Sequence, residues 1–362
     1  MWTIKFMGVQ VPLPSPKKMK EAYLYKSLKD LRVRCDLCNH RCLIAEGLKG
    51  KCYVRKNIAG KLYSLVYEKL IAQNVDPIEK KPLFNFLPGS NTYSIAAAGC
   101  NFNCFFCQNY QISQVSKSDE NIPGKFETPQ NVVKKAIENN CESISYTYTE
   151  PTIFFESAYD ISVIAKENKL KNIFVTNGFM SREALDMISP YLDAANVDLK
   201  SFSDEFYIKN TGGRLAPVLN NIKYMKKLGI WIEVTTLLIP GLNDSNKELE
   251  QIAEFLRKTG KEIPWHISAY FPQYKSKIPQ TSVNKIIEAV EIGKNAGLSY
   301  VYGGNVSYRG LENTFCPECG NEIITRSGFN IDRTDINEDK CCTCDCKVDG
   351  VFKAKSKYIK KY

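Results

Sequence analysis

Fourteen cysteines constrain the fold of this 362-residue chain more than any other feature. Thirteen of them fall into three clusters, at positions 35–52, 100–107 and 316–346, and Cys141 stands alone. Clustered cysteines at short spacings are typical of metal sites, whereas disulfide frameworks belong to small secreted proteins. Residues 1–16 show no signal peptide, and no apolar run approaches the ~20 residues needed to span a bilayer. We therefore expect a cytoplasmic protein without a membrane segment, whose cysteines hold metals.

From about Tyr93 to Tyr302 the chain alternates short apolar runs with amphipathic helical stretches. The predicted strands are 93–97, 143–149, 172–176, 194–199, 230–238, 265–270 and 299–302. The predicted helices are 131–140, 153–167, 182–189, 218–228, 247–258 and 283–295. Six βα units without a glycine-rich nucleotide-binding turn favour a partial barrel over a doubly wound sheet. The predicted fold class is α/β, a partial (β/α)6 TIM-like barrel with small cysteine-rich metal-binding modules at its N- and C-terminal ends.

Shifts in composition divide the chain into five predicted parts. They are an N-terminal extension at 1–30, a cysteine-rich module and linker at 31–92, the barrel at 93–312, a zinc-ribbon-like module at 313–352 and a basic tail at 353–362. The formal net charge is +10 with every cysteine counted as neutral. Thiolates bound to metals would lower this charge to about +5. The charge therefore gives little support for a nucleic-acid partner.

The central cysteine cluster directly follows the first predicted strand, in the segment GCNFNCFFCQN. The spacing of Cys100, Cys104 and Cys107 allows one loop to wrap a single [4Fe–4S] cluster. Three thiolates leave one of the four irons without a protein ligand, and an open coordination position distinguishes a catalytic metal site from a structural one. A zinc knuckle, or a cluster with a distant fourth cysteine, is the alternative interpretation.

This C-x3-C-x2-C spacing, with the aromatic Phe106 before the third cysteine, resembles the signature of the radical S-adenosylmethionine (SAM) superfamily. The resemblance implies a [4Fe–4S] cluster on Cys100, Cys104 and Cys107, whose free iron chelates SAM. In that family one electron breaks the S–C5′ bond of SAM, and the resulting 5′-deoxyadenosyl radical abstracts a hydrogen atom. Phe106 is then one of the expected cofactor-binding residues.

The same resemblance assigns SAM contacts to the end of the second predicted strand. Glu150 matches the glutamate of the superfamily's Gly-Gly-Glu motif, which holds the SAM ammonium group through a charge-assisted hydrogen bond. Tyr148 and Thr149 stand where that motif has its two glycines. Thr149 and Glu150 are therefore expected in the SAM site, and a helix cap by either of them is the alternative.

Later strand ends resemble the SAM-binding segments of the enzymes that activate glycyl-radical enzymes. These positions are Thr176 and Asn177 after the third strand, Asp198 and Lys200 after the fourth, and Gly241 in the turn after the fifth. A structural salt bridge between Asp198 and Lys200, or a simple turn at Gly241, is the alternative. Glu233 is expected to have a buried partner, and His266 is predicted to be structural rather than catalytic.

Two outer modules offer closed metal sites. Cys35, Cys38, Cys42 and Cys52 supply four thiolates, which suit either Zn²⁺ or a saturated [4Fe–4S] cluster, and His40 could replace one of them. In the C-terminal module, Cys316 and Cys319 pair with Cys341 and Cys344 as in a zinc ribbon, and Cys342 and Cys346 offer a different register. Unliganded thiols are the remaining alternative for the N-terminal module.

The combination of these motifs is more specific than any one of them. The N-terminal cysteine module, the segments DPIEKKPLF at 76–84 and FLPGS at 86–90, and the cluster loop together resemble the radical SAM member of the AmmeMemoRadiSam system. That group is similar to pyruvate formate-lyase activating enzymes, and the resemblance covers roughly residues 31–352. It implies an oxygen-sensitive oxidoreductase with a one-electron donor such as ferredoxin or flavodoxin.

The substrate that this resemblance implies is macromolecular, most simply a glycine of a partner protein that is converted to a radical. Radical modification of RNA or of a protein side chain is a second hypothesis. A non-catalytic iron–sulfur or zinc binding module is the third.

Overall fold

One eight-stranded sheet, in which the strands follow one another in chain order, dominates the structure. The computed structural model describes residues 19–115 and 121–352, together with the backbone of 3–6 and 9–12. The strands are β1 (Ala72–Pro77), β2 (Asn91–Ala96), β3 (Ser143–Tyr146), β4 (Lys171–Thr176), β5 (Ala194–Asp198), β6 (Trp231–Leu238), β7 (Trp265–Ala269) and β8 (Val301–Gly304). Strand β1 pairs with β2 in antiparallel orientation, and every later neighbouring pair is parallel.

One helix of seven or more residues follows each of the strands β2 to β7. The helices are α1 (Pro129–Glu138), α2 (Phe155–Glu167), α3 (Arg182–Ile188), α4 (Leu215–Lys227), α5 (Asn246–Gly260) and α6 (Val283–Asn295). Side-chain oxygens of Thr128, Ser181, Ser245 and Ser282 accept hydrogen bonds from the first turns of α1, α3, α5 and α6. These caps satisfy backbone N–H groups that a helix cannot pair internally, and therefore fix where each helix begins.

All seven predicted strands and all six predicted helices are present, with shifted ends. The second predicted strand stops at Tyr146 because the chain turns at Tyr148, which has a φ of 61°. Helix α4 begins three residues before its predicted start, because Pro217 is tolerated in the first turn of a helix. The sequential parallel order confirms the predicted α/β class. The antiparallel edge strand β1 was not predicted.

Small antiparallel sheets form the parts of the chain before and after this sheet. The preceding strands are Thr3–Phe6, Val9–Pro12, Lys20–Glu21, Tyr25–Ser27, Val33–Cys35, Leu43–Ile44, Arg55–Ile58, Lys61–Ser64 and Lys69–Leu70, the last paired with Lys125–Phe126. The following strands are Thr314–Phe315, Glu322–Ser327, Asn330–Thr334, Ile336–Asn337 and Lys340–Cys341. Short helical turns occur at Ile78–Lys80, Tyr110–Ser113, Pro151–Phe154, Asp204–Phe206 and Tyr207–Thr211. The predicted basic tail at 353–362 lies outside the described residues.

Among the residues that the structure describes, no helix combines the length and the apolar character that crossing a bilayer requires. The longest helix, α5, has fifteen residues and carries charged side chains along its length.

A buried glutamate near the N-terminal ends of the parallel strands binds the chain segment that precedes β2. Glu233, the third residue of β6, accepts hydrogen bonds from the backbone N–H groups of Phe84 and Asn85, both at 2.9 Å. Its carboxylate also accepts from Trp231 Nε1 at 3.0 Å and lies 2.6 Å from His266 Nε2. The segment before β2 is thereby held across this end of the sheet. Glu233 has the expected buried partners, and His266 is one of them.

Replacing Glu233 with alanine is expected to destabilise the fold by about 3–5 kcal/mol, because four donors, three of them buried, would lose their acceptor. Chemical denaturation followed by circular dichroism measures this loss. Glu233→Gln is the matched control, since it keeps one acceptor oxygen and should cost less. A change below about 1 kcal/mol for the alanine variant would contradict this role of Glu233.

Candidate functional site

The C-terminal ends of the parallel strands surround a pocket with an empty volume of about 1370 Å³. Ten of the eleven predicted catalytic and cofactor-binding residues line it, namely Cys100, Cys104, Phe106, Cys107, Thr149, Glu150, Thr176, Asn177, Asp198 and Lys200. Gly241 is the exception. Its N–H donates to Asp244 Oδ1 at 2.9 Å and its φ is 74°, as the alternative of a simple turn requires. The pocket lies where active sites of βα barrels form.

The cysteine loop leaves β2 through Gly99, whose φ of 107° an L-residue rarely adopts. The thiols have specific polar neighbours. Ser113 Oγ lies 3.1 Å from Cys107 Sγ, and the N–H of Phe102 donates to Cys100 Sγ at 3.4 Å. Burial raises the pKa of the Cys100 thiol well above its usual value, so that a metal must displace its proton.

The residues of this pocket fit a [4Fe–4S] cluster held by three cysteines. Cys100, Cys104 and Cys107 are the only thiol-bearing residues among its lining residues, and no histidine lines it within the described part of the chain. The lone Cys141 is not a lining residue. The donor set available here therefore supplies three soft ligands and leaves a fourth position open, as a catalytic cluster requires.

Glu150 connects two of the strand ends in this pocket. Its Oε1 accepts from the backbone N–H and the hydroxyl of Thr152 and from the Thr176 hydroxyl, at 3.1, 2.5 and 2.8 Å. Its Oε2 accepts from Asn177 N–H at 2.8 Å. Burial raises the pKa of Glu150, although these hydrogen bonds oppose the shift. Glu150 thus caps the helical turn Pro151–Phe154, which is the alternative role, while it also lines the pocket.

We expect Glu150→Gln to lower the free energy of unfolding by about 2–3 kcal/mol. The carboxamide has only one acceptor oxygen, and its NH2 group would face the backbone N–H of Asn177 or the donors of Thr152. Thermal or chemical unfolding measures this change, and Glu250→Gln, on the exposed side of α5, is the matched control. Equal stability of the two variants would show that these hydrogen bonds contribute little.

An ion pair also lines this pocket. Lys200 Nζ is 2.8 Å from Asp198 Oδ2, in the arrangement that the salt-bridge alternative describes. Burial alone would lower the pKa of Lys200, but the negative charges of Asp198 and Cys104 outweigh it and raise that pKa. Lys200 is therefore a permanent cation beside the cysteine loop, within the pocket that both members of the pair line.

A network around Tyr148 was not predicted from the sequence. The Tyr148 hydroxyl donates to Asp76, its carbonyl accepts from Asn109 Nδ2 at 2.8 Å, and the ammonium of Lys81 lies 4.4 Å from its ring centre. Asp76 also accepts from Lys81 Nζ at 2.7 Å, and burial lowers the pKa of Lys81 to about 8. Tyr148 takes a positive φ where the superfamily motif has a glycine, and these contacts hold it there.

The C-terminal cysteines form a second group of potential ligands. The sulfur atoms of Cys316, Cys319, Cys341 and Cys344 all lie within 4.8 Å of one another. Tetrahedral coordination of one Zn²⁺ at ~2.3 Å places its sulfurs about 3.8 Å apart, so these four residues could hold such an ion. Cys346 Sγ also lies 3.2 Å from Cys316 Sγ, whereas Cys342 is exposed. This group of four is the same set that the zinc-ribbon interpretation selects.

Comparisons with known proteins identify the family. The model of the radical SAM superfamily matches residues 94–256. An uncharacterized protein of Methanocaldococcus jannaschii is 44% identical over 338 residues, which cover 92% of this chain and 100% of that protein. A benzylsuccinate synthase activating enzyme of Thauera aromatica is 25% identical over 147 residues, covering 36% of this chain and 44% of that enzyme.

A solved structure, Streptococcus suis SuiB bound to S-adenosylmethionine, aligns with 66% of this chain and 56% of its own at 14% identity and a TM-score of 0.48. The family model extends from within β2 to within α5 and includes the whole cysteine loop. The cysteine spacing, the pocket at the strand ends and the match to the family model agree with one another. The chain belongs to the radical SAM superfamily of enzymes.

Proposed function

We propose that Cys100, Cys104 and Cys107 hold a [4Fe–4S] cluster and that this chain generates a radical which abstracts hydrogen from a macromolecular substrate. When bound, the cluster and SAM together supply a 5′-deoxyadenosyl radical after the entry of one electron. One observation carries this proposal. Three thiols, without a fourth thiol or an imidazole among the described lining residues, face a pocket that the strand ends from β2 to β8 surround.

The chain's own residues would position and shield the reactants. Lys200 supplies a fixed positive charge beside the anionic cysteine loop, and Asp198 holds its ammonium group in place. The carboxylate of Glu150 fixes the loop at Thr176 and Asn177, so that these side chains keep their positions at the pocket wall. Preorganised polar groups of this kind stabilise charge without reorganisation during a reaction.

Aromatic side chains protect the cysteine loop from water. Phe102 and Phe106 are buried, and the ring of Phe102 lies 5.2 Å from that of Phe179 and 6.2 Å from that of Tyr207. Phe106 packs 6.0 Å from Phe206. A reactive radical requires such a dry pocket, because water and side reactions would consume it. This packing supports catalysis rather than a purely structural role for the loop.

The substrate class that we propose is a protein, and the reaction resembles the activation of a glycyl-radical enzyme. Two relatives support this proposal by their names, the benzylsuccinate synthase activating enzyme and the trans-4-hydroxy-L-proline dehydratase activating enzyme of Clostridioides difficile. A small one-electron carrier protein, such as a ferredoxin or flavodoxin, would supply the electron. Radical modification of RNA or of a protein side chain is the competing outcome of the experiment below.

The proposal is tested by anaerobic reconstitution with iron and sulfide, followed by dithionite and SAM. Formation of 5′-deoxyadenosine is the expected result, and its absence from a fully loaded protein would contradict the proposed chemistry. Candidate partner proteins deuterated at glycine would then identify the substrate class. Deuterium in 5′-deoxyadenosine supports glycine activation, whereas transfer only from labelled RNA or from other side chains replaces it with the competing function.

A further inference from the structure

The four N-terminal cysteines surround a cavity of their own, separate from the pocket at the strand ends. Cys35, Cys38, Cys42 and Cys52 all line it, and its empty volume is about 340 Å³. No disulfide joins them, since each is a free thiol in the structure. The backbone holds them in place, because Cys35 N–H donates to the carbonyl of Cys42 at 2.9 Å and Cys38 forms an isolated bridge with Met180. Folding therefore brings four soft ligands to one cavity.

The spacing of these thiols argues against a single metal ion. Within the described ranges of the chain, the C-terminal cysteine group is the one set of three or more potential ligands whose donor atoms all lie within 4.8 Å of one another. The N-terminal thiols are spread more widely than that. One tetrahedral ion would place them about 3.8 Å apart. A [4Fe–4S] cube gives each thiolate its own iron and therefore holds the sulfurs further apart.

A buried arginine lines the same cavity, and two of its nitrogens have no hydrogen-bond acceptor. Arg55 lines the cavity with 1% of its surface exposed, and its Nη2 donates to Glu156 Oε2 at 2.5 Å. Its Nε and Nη1 are buried and have no hydrogen-bond partner. Unpaired buried donors on a charged group are costly, so these two nitrogens require an acceptor.

From these observations we infer that Cys35, Cys38, Cys42 and Cys52 hold a second [4Fe–4S] cluster. A [4Fe–4S]²⁺ core with four thiolates carries a net charge of about −2, and its sulfur atoms accept hydrogen bonds. It would supply the acceptors that Nε and Nη1 of Arg55 lack. Every iron would have a cysteine ligand, so this cluster has no position for SAM and exchanges single electrons only.

The location of the cavity is consistent with such a redox group. Asn101 lines the cavity, while its neighbours Cys100 and Phe102 line the pocket at the strand ends. The carbonyl of Asn101 lies 2.8 Å from His40 Nε2, and its Oδ1 accepts from Asn177 Nδ2 at 2.7 Å. A single residue therefore separates the walls of the two sites. His40 lines the cavity as well, with its Nε2 engaged by Asn101.

The test uses the full chain in which Cys100, Cys104 and Cys107 are all replaced by alanine. We expect this triple variant, reconstituted anaerobically, to retain about four irons and four sulfides per chain and about one zinc from the C-terminal group. Its dithionite-reduced electron paramagnetic resonance (EPR) signal should not change when SAM is added. Loss of all iron, or about two zinc ions per chain, would overturn the inference.

Two further measurements test the same inference if the triple variant misfolds. The wild-type chain should contain about eight irons and one zinc, and about four irons with two zinc ions would overturn the inference independently. Cys38→Ala/Cys42→Ala should reduce the wild-type iron content by about half, whereas Cys141→Ala should leave it unchanged. Failure of SAM cleavage in the wild type would instead contradict the proposed function, so the two failures are distinguishable.

Discussion

Replacing Cys104 with alanine is expected to abolish the cleavage of SAM and to remove the SAM-responsive cluster from the protein. Two thiolates cannot hold a [4Fe–4S] cluster that three already leave incompletely ligated. Cys104 is buried within the pocket at the strand ends, and its thiolate charge contributes to the raised pKa of Lys200. Production of 5′-deoxyadenosine should fall to the background of an assay without enzyme, and about half of the iron should be lost.

Cys141→Ala is the matched control for this variant. Cys141 is also buried and follows the end of α1, but it does not line the pocket. We expect it to keep wild-type SAM cleavage and to change stability by no more than about 1 kcal/mol. A Cys104→Ala protein with the wild-type yield of 5′-deoxyadenosine would remove the physical basis of the proposed active site.

Cys319→Ala is expected to release the metal of the C-terminal group and to unfold the strands around it, while SAM cleavage continues. The apolar core there is small, and Ile323, Ile324 and Val348 are among its few buried side chains. Structural zinc contributes roughly 10 kcal/mol or more to the folding of modules of this size. Zinc content and limited proteolysis of the region after β8 measure the loss, and 5′-deoxyadenosine reports on the intact sheet.

Cys342→Ala is the control for the C-terminal group, because Cys342 lies beside Cys341 but is exposed and outside the group of four close sulfurs. Its zinc content and its resistance to protease should match those of the wild type. The opposite pattern, with zinc lost from the Cys342 variant and kept in the Cys319 variant, would instead support the second register, in which Cys342 and Cys346 are ligands.

The order of secondary structure was predictable because its signals are local. Strands such as Lys171–Thr176 are short apolar runs, and helices such as Asn246–Gly260 carry apolar residues at helical spacing. Ser181 caps the start of α3, and Gly229 and Gly297 follow the ends of α4 and α6 with positive φ. The cysteine loop was predictable for the same reason, since three ligands within eight residues must fold around one site.

Contacts between distant segments were not predictable from periodicity. Glu233 binds the backbone of Phe84 and Asn85, almost 150 positions earlier, and the sequence shows only that a buried glutamate needs some partner. The link between Tyr148 and Asp76 is similar, because half of the residues of β1 are polar and the strand shows no alternating pattern. Tertiary pairing of this kind depends on the completed sheet and leaves no local signal.

Some residues had two alternative roles in the sequence-based predictions, and the sequence alone could not decide between them. The carboxylate of Glu150 caps a helical turn, which was its alternative role, and lies at the wall of the pocket. The pair of Asp198 and Lys200 is a salt bridge within the same pocket. From the sequence, a structural contact and a position in a pocket are alternatives. One side chain can have both when a helix begins beside the pocket.

The claim on which this account depends is that one iron beside Cys100, Cys104 and Cys107 has no protein ligand. EPR spectroscopy of the dithionite-reduced protein, with and without SAM labelled with ¹⁷O and ¹⁵N in its methionine carboxylate and amino groups, tests this claim most directly. The account predicts that SAM shifts the spectrum and that both labels couple to the reduced cluster, in Cys38→Ala/Cys42→Ala as in the wild type. An identical spectrum with and without SAM, lacking coupling to either label, would contradict it.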